Sequence, residues 1–457
     1  MKGLRKKAKK NKNGDCLKQL YIILILFFFS SIKIFSQDSL LKFQRAVEIV
    51  LDKNYDIRIA DNNNIQAENN NTIGNAGMLP RIDATGAYTK SSNSLKQKYN
   101  TGNEVNRNAS SASNTNGDIG ASWTIFDGLK MFSTKEKLSE HVMLSKEQLQ
   151  LQMENSILEV TNAYYSSVKQ QQLLHSIQDE MKFAQEREKI AERKLNNGSG
   201  SRLELLLAKT ELNRQRVLEI KLKSDADAAR IVLNRLLGRS IDTQFTVEDT
   251  VVIVYQPQLE DLKKSAFEKN IQLSYFKHNK RIAELELKES KALRMPVINL
   301  NAHFAYSKST NEAGFILYNR SNGFNYGATA TFPIFHGLTI NNQVKNAKLE
   351  VANALLQYES ANAQVDEDLY NSWRTFNDAL TILRMEEQNI VYAKEVLAVA
   401  QERYRIGSSN NTEMLDAQRT YEEAMARLAE AKFTAKISEA ILKKVNGELI
   451  VFGEEVK

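Results

Sequence analysis

The sequence predicts a mainly α-helical protomer, built from two similar halves, that carries a small membrane β part. Three observations predict it. The phrase "WTIFDGLKMF" (Trp123 to Phe132) returns 209 residues later as "FPIFHGLTIN" (Phe332 to Asn341). Each phrase is followed by a long interval with neither Gly nor Pro. Each is preceded by segments in which apolar and small or polar residues alternate.

The echo fixes the organisation. Gly128 pairs with Gly337, Gly198 with Gly407 and Gly238 with Gly447, all at an offset of 209. Upstream, "LPRI" at Pro80 answers "MPVI" at Pro296, and "KNYDI" at Lys53 answers "KNIQL" at Lys269, at an offset of 216. Similarity held at constant spacing marks internal duplication. Residues 37–240 read as the first repeat, 241–258 as a connector, 259–450 as the second repeat and 451–457 as a tail.

Taken in order, the chain opens with eight Lys or Arg residues ahead of the ten-residue apolar run "LYIILILFFF". That is the build of a secretory signal peptide, with cleavage expected after Ser36. The run is too short to span a bilayer comfortably. Nine of the 62 basic and one of the 55 acidic residues fall in 1–36, leaving 53 against 54. The formal charge of +7 therefore belongs to the leader, and nucleic acid is not an expected partner. Cys16, the one cysteine, also lies there, so the exported chain needs no disulfide.

Strands are expected at 82–90 and 118–126, and again at 297–306 and 324–333. In "INLNAHFAY", Ile298, Leu300, Ala302, Phe304 and Tyr306 share one face, while Asn299, Asn301 and His303 share the other. Such two-residue alternation suits a membrane barrel with lipid outside and water within, and a soluble hairpin with one wet face is the alternative. The Ser/Asn/Thr-rich stretches 91–117 and 307–322 read as surface loops. Helical hairpins are expected over 129–237 and 338–446, with "NNGSGS" and "RIGSSN" as their turns. In the first, Leu149, Met153, Ile157, Val160, Tyr164 and Val168 keep helical spacing. An interval such as 129–197 gives a rod of roughly 100 Å.

Four strands cannot close a membrane sheet, whose backbone groups must all be paired within hydrocarbon. If these strands enter the membrane, the chain must therefore share a barrel with copies of itself, two or three in number. A polar rod of such length also needs neighbours to bury its thin apolar stripe. No catalytic or cofactor constellation accompanies this frame: the five histidines are scattered, and there is no P-loop or dinucleotide fingerprint. An enzyme is not expected.

The order of these features resembles the outer membrane efflux family of the TolC type, from "LLKFQRAVEIVLDKNYDI" through both "IF-x-GL" elements to "KKVNGEL". The most specific stretch is "RYRIGSSNNTEMLDAQRTYEEA", Arg403 to Ala424. The resemblance implies a homotrimer in the bacterial outer membrane, with a twelve-stranded barrel continued by an α-helical barrel into the periplasm. It implies partners in a periplasmic membrane-fusion adaptor, an inner-membrane efflux pump or ABC transporter, and outer-membrane lipid. The implied function is the exit duct of a tripartite efflux or type I secretion system. An exported coiled-coil scaffold without a channel is the rival reading.

Site expectations follow. Glu413 and Asp416, three apart, share a helical face. By resemblance they match carboxylates that narrow the periplasmic mouth, Glu204 matches the corresponding acid in the first half, and Tyr404 an aromatic of the closing network. Threefold symmetry would gather such carboxylates into rings that tune ion passage; acids also favour a helix N-terminus on electrostatic grounds alone. Ser409 stands where the best-known members place an Arg, so Arg403 or Arg405 is the expected substitute lock. The turns at Gly198, Ser199, Gly407 and Ser408 are expected to dock the adaptor, and Gly128 and Gly337 to hinge strand to helix.

Overall fold

The computed structural model describes residues 40–313 and 316–450. The expected signal peptide and the 451–457 tail lie outside the described residues. A two-residue strand β1 (Leu40–Leu41) leads into helices α1 (Phe43–Lys53) and α2 (Tyr55–Asn70). Strands β2 (Arg81–Lys98) and β3 (Glu104–Phe126) precede the helices α3 (Lys130–Asn196) and α4 (Arg202–Leu236). After a short strand β4 (Thr246–Val247), the pattern repeats as α5 (Leu259–Lys269), α6 (Ile271–Ala292), β5 (Val297–Asn311), β6 (Tyr318–Thr331), α7 (Thr339–Arg405) and α8 (Asn411–Val445). The long helices match in length, with 67 residues in both α3 and α7 and 35 in both α4 and α8.

The four long strands form one antiparallel sheet in the order β2-β3-β5-β6, leaving β2 and β6 as open edges. The strands run further than alternation indicates. The expected 82–90 and 118–126 extend to 81–98 and 104–126, so most of 91–117 is ladder rather than loop, with Ser91 opposite Ala112 and Lys98 opposite Glu104. Likewise 297–306 extends to Asn311, and 324–333 begins at Tyr318. Beyond the apolar band both faces of the ribbon are polar, so the two-residue rhythm fades while each backbone still finds its partner. The last strand stops at Thr331 rather than 333, because Pro333 offers no N–H to a ladder.

Register confirms one apolar and one polar face. Ile119 lies opposite Phe304, Trp123 opposite Leu300 and Phe304 opposite Phe324. On the reverse face Ser122 meets Asn301 and Gly120 meets His303, whose Nδ1 lies 3.4 Å from the Asp118 carboxylate.

Each half has its own core, built from equivalent positions. The first packs Ala46, Val50, Val160 and Leu233; the second packs Leu262, Ala266, Leu369 and Leu442. Tyr164, about 1% exposed, donates to Leu41 O at 2.9 Å and accepts from Glu248 N at 3.3 Å, fastening residues 241–258 across the middle of α3. Gln171 holds Val247 through both its amide atoms, and Lys436 Nζ reaches Val252 O at 2.8 Å.

One asparagine in each half serves two helices. Asn54 Oδ1 accepts from the N–H groups of Asp56 and Ile57 at 2.9 and 3.2 Å, capping α2, while its Nδ2 donates to Leu236 O at 3.3 Å, the end of α4. Asn270 repeats this with Gln272, Leu273 and Val445 O at 2.9, 3.2 and 2.9 Å. N-terminal donors and C-terminal acceptors lack partners within their own helices, and a single amide satisfies both kinds.

At the strand-to-helix junctions Gly128 and Gly337 have φ of +74° and +57°, and the following Leu129 and Leu338 are also left-handed, at 67° and 64°. A left-handed leucine costs about 1–2 kcal/mol, so a sharp change of direction is fixed here at the expense of local strain. A Cβ on Gly128 would come within 2.6 Å of Met295 Cβ and 2.7 Å of Ala292 O.

Replacing Asn54 or Asn270 with Ala is expected to remove a cap and a helix-end bond together, about 2 kcal/mol each. Thermal unfolding followed by circular dichroism checks it, with Asn→Asp, which keeps the acceptor and loses the donor, falling between.

Candidate functional site at the helical tip

The ends of the long hairpins carry the residues singled out from sequence. Both turns close the same way: Ser199 N bonds Lys194 O and Gly198 N bonds Leu195 O, while Ser408 N bonds Arg403 O and Gly407 N bonds Tyr404 O. This pairing satisfies carbonyls that a helix end otherwise strands. Ser201 then caps α4 at Glu204 N (3.1 Å), and Asn410 caps α8 at Glu413 N (2.9 Å). Gly198, Ser199, Gly407 and Ser408 are all exposed.

The turns are tied together by Tyr404, which is 8% exposed and whose hydroxyl donates to Glu204 Oε1 at 2.7 Å. Lys194 Nζ reaches the same oxygen at 3.3 Å and stands 4.6 Å above the Tyr404 ring. The tyrosine's hydrogen bond holds the Glu204 carboxyl below its ordinary range, while burial raises the Tyr404 hydroxyl. Glu413 accepts from Arg403 Nη1 at 2.5 Å and from Ser409 Oγ at 2.8 Å. Arg405 instead pairs with Glu402 on its own helix. Asp416 is exposed on the next turn. Glu204 and Tyr404 are thus brought together, whereas Glu413 and Asp416 stand apart from that pair.

Behind the tip lies a polar layer that sequence reasoning did not single out. Arg214 on α4 is held by Glu211 and by Glu422 of α8, at 2.6 and 3.0 Å. Gln215 bonds both of those carboxylates, Gln418 joins Glu422 at 3.1 Å, and buried Arg187 of α3 meets Gln418 at 3.3 Å. Glu180, 3% exposed, has its pKa pushed up to about 7, first by burial and then by the charge of Glu422. In sequence these residues look like any solvated helix face, and only the convergence of three helices distinguishes them. Among the described residues no cluster of His, Cys, Asp or Glu could hold a metal, and no helix is long and apolar enough to cross a membrane.

The raised Glu180 pKa has a defined sign. The folded protein holds this proton up to about pH 7, the unfolded chain only to about 4.5, so stability falls as pH rises between these values. Glu180→Gln is therefore expected to raise the unfolding temperature by a few degrees at pH 8 and to change it little at pH 4. Glu204 has the opposite sign: its depressed pKa contributes stability at neutral pH that is lost only as pH falls through its folded value.

The pattern of the family described as "Outer membrane efflux protein" matches residues 46–239 and 262–448. The outer membrane protein TolC of Escherichia coli K12 is 24% identical over 392 residues, 81% of this chain and 75% of its own. The alkaline protease secretion protein AprF of Pseudomonas aeruginosa is 20% identical over 371 residues, covering 79% and 75%. The CmeC outer membrane channel of Campylobacter jejuni superposes with a TM-score of 0.74 at 16% identity, over 89% of this chain and 86% of that one. The open MtrE channel of Neisseria gonorrhoeae gives 0.65 at 20% identity, over 89% of both. With both repeats covered and the strand-helix order in common, the chain belongs to the outer membrane efflux protein family.

Proposed function

We propose that this chain is one of three identical protomers forming an outer-membrane exit duct, conducting substrates passively from a periplasmic adaptor and an inner-membrane pump or ABC transporter to the exterior. The observation that carries it is the pair of open flanks. Strands β2 and β6 have unpaired edges, which hydrocarbon does not tolerate unless another copy closes them. A scaffold without a channel gives no reason for a sheet that is apolar on one face and open at both edges.

The helices support the same closure. Helix α3 packs between α2 and α6, and α6 between α3 and α7, while among the described residues no helix takes on α7 the place that α6 holds on α3. The α3–α6 seam within the chain is polar: Lys137–Glu289, His278–Glu140 and Ser274–Glu147 each lie at 2.7 Å, and Arg281 pairs with Glu136. Transferred through the duplication, His278 and Glu140 become Asn62 and Leu349, and Glu147 becomes Leu356. Leu349 and Leu356 are 63% and 62% exposed in the single chain, an apolar flank that a neighbour's α2 would cover. Gly337 fits this reading: nothing lies within 4 Å of its Cβ position, whereas its twin Gly128 is packed by Ala292 and Met295. The equivalents of those two residues are Ala76 and Leu79, which a second copy would bring.

In this reading the tip is the periplasmic mouth, the Tyr404–Glu204 bond fastens neighbouring hairpins, and rings of Glu413 and Asp416 set the field that ions meet. The adaptor would seat on the exposed turns around Gly198 and Gly407.

Cysteines at Asn62 and Leu349 are expected to cross-link between chains under mild oxidation, giving covalent oligomers up to a trimer on denaturing gels, with neither single variant doing so. Planar-bilayer recordings test the mouth. Tyr404→Phe removes a charge-assisted bond of about 1.5–3 kcal/mol and should raise resting conductance; Glu413→Ala with Asp416→Ala should weaken block by multivalent cations. Currents and block identical to the parent protein would remove the gate assignment.

A further inference from the structure

The outward face of the sheet changes character abruptly along its length. From Ile298 through Leu300, Ala302 and Phe304 to Tyr306 this face of β5 carries no charge, a run of roughly 27 Å along the strand. The same holds for Ile82, Ala84, Gly86 and Tyr88 of β2, and for Ala330, Ala328, Tyr326 and Phe324 of β6. The next outward positions are Lys90, Lys308 and, after Asn322, Arg320. Lys308 lies directly opposite Arg320 in the ladder. All three are exposed, and none forms an ion pair with a described residue. Two of them sit beside aromatic rings: the Arg320 guanidinium is 5.5 Å from the Tyr306 ring centroid, and Lys308 Nζ 6.0 Å from that of Tyr318. The long helices leave from the other end of the strands, so this row lies at the rim away from the periplasm.

We propose that Lys90, Lys308 and Arg320 form a cationic rim that holds phosphate groups of lipids in the outer leaflet. The inference rests on the barrel reading above. Three cations per chain, none ion-paired with a described residue, adjoin the apolar band at the level where lipid headgroups stand, two of them between the rings of Tyr306 and Tyr318. A phosphate supplies the dense negative charge and multiple acceptors that an Arg fork and two ammonium groups satisfy. Position on the lipid-contacting face selects a headgroup over a dissolved ion, because the acyl chains of the same molecule cover the adjoining apolar strip. The polar face of these strands, lined by Asn299, Asn301 and Ser307, carries no comparable row.

The test reconstitutes the full-length oligomer in phosphatidylcholine vesicles containing a small fraction of a bisphosphorylated glucosamine lipid or its dephosphorylated counterpart. Lipid retained by the protein is read by native mass spectrometry. The parent protein should enrich the phosphorylated form, and the Lys90→Gln, Lys308→Gln, Arg320→Gln triple variant should lose that preference by on the order of a hundredfold, about fivefold per cation. Lys98→Gln, further out and already paired with Glu104 at 3.3 Å, should retain it. Millimolar inorganic phosphate should not displace the lipid. Equal enrichment by the triple variant, or displacement by inorganic phosphate, overturns the rim. Conductance in vesicles of phosphatidylcholine alone separates the two readings. If the parent and triple variant both conduct there, a lost preference concerns the rim; if the parent neither inserts nor conducts, the barrel fails and the rim with it.

Discussion

An amide that finds no partner in hydrocarbon costs several kcal/mol, and this penalty organises everything else in the protein. Four strands leave two edges unsatisfied, which makes the isolated chain an incomplete object. The duplicated architecture meets the demand economically. Because the two halves present similar elements in the same order, the surface joining first half to second is a template for the surface that joins one chain to the next in the proposed trimer. The helical part obeys a parallel constraint from water: α3 and α7 are too polar to form a core by themselves, so each is stabilised by flanking neighbours.

Much of this was legible in the sequence because its signals are local. The absence of Gly and Pro over 129–197 marked a helix that runs from Lys130 to Asn196, and the glycine offsets marked matching turns. Strand length was not legible. Alternation records which face meets lipid, and it ends where the lipid ends, although Ser91 and Ala112 continue to pair beyond it. At the tip, Tyr404 and Glu204 were found through resemblance, and the structure places them 2.7 Å apart. The layer of Arg187, Arg214, Glu211 and Glu422 left no sequence trace, because a charged residue on a polar helix reads the same whether it faces solvent or two other helices.

The tip and the rim illustrate two uses of charge. At the tip, carboxylates are held by partners within the chain: Glu413 by Arg403 and Ser409, and Glu422 by Arg214. Such pairs fix positions, and breaking one partner is costly because the other is left behind. At the opposite end, Lys90, Lys308 and Arg320 lack any such partner among the described residues, so their charge is directed outward.

The unequal surroundings of Gly128 and Gly337 bear on the order of biogenesis. A newly exported polypeptide can complete the first bend by itself, since Ala292 and Met295 arrive from the same molecule. The second bend has the same strained backbone with nothing yet pressed against it. In the proposed trimer, half of the wall's corners are therefore consolidated before sister molecules meet, and the remaining half mature only as the ring shuts.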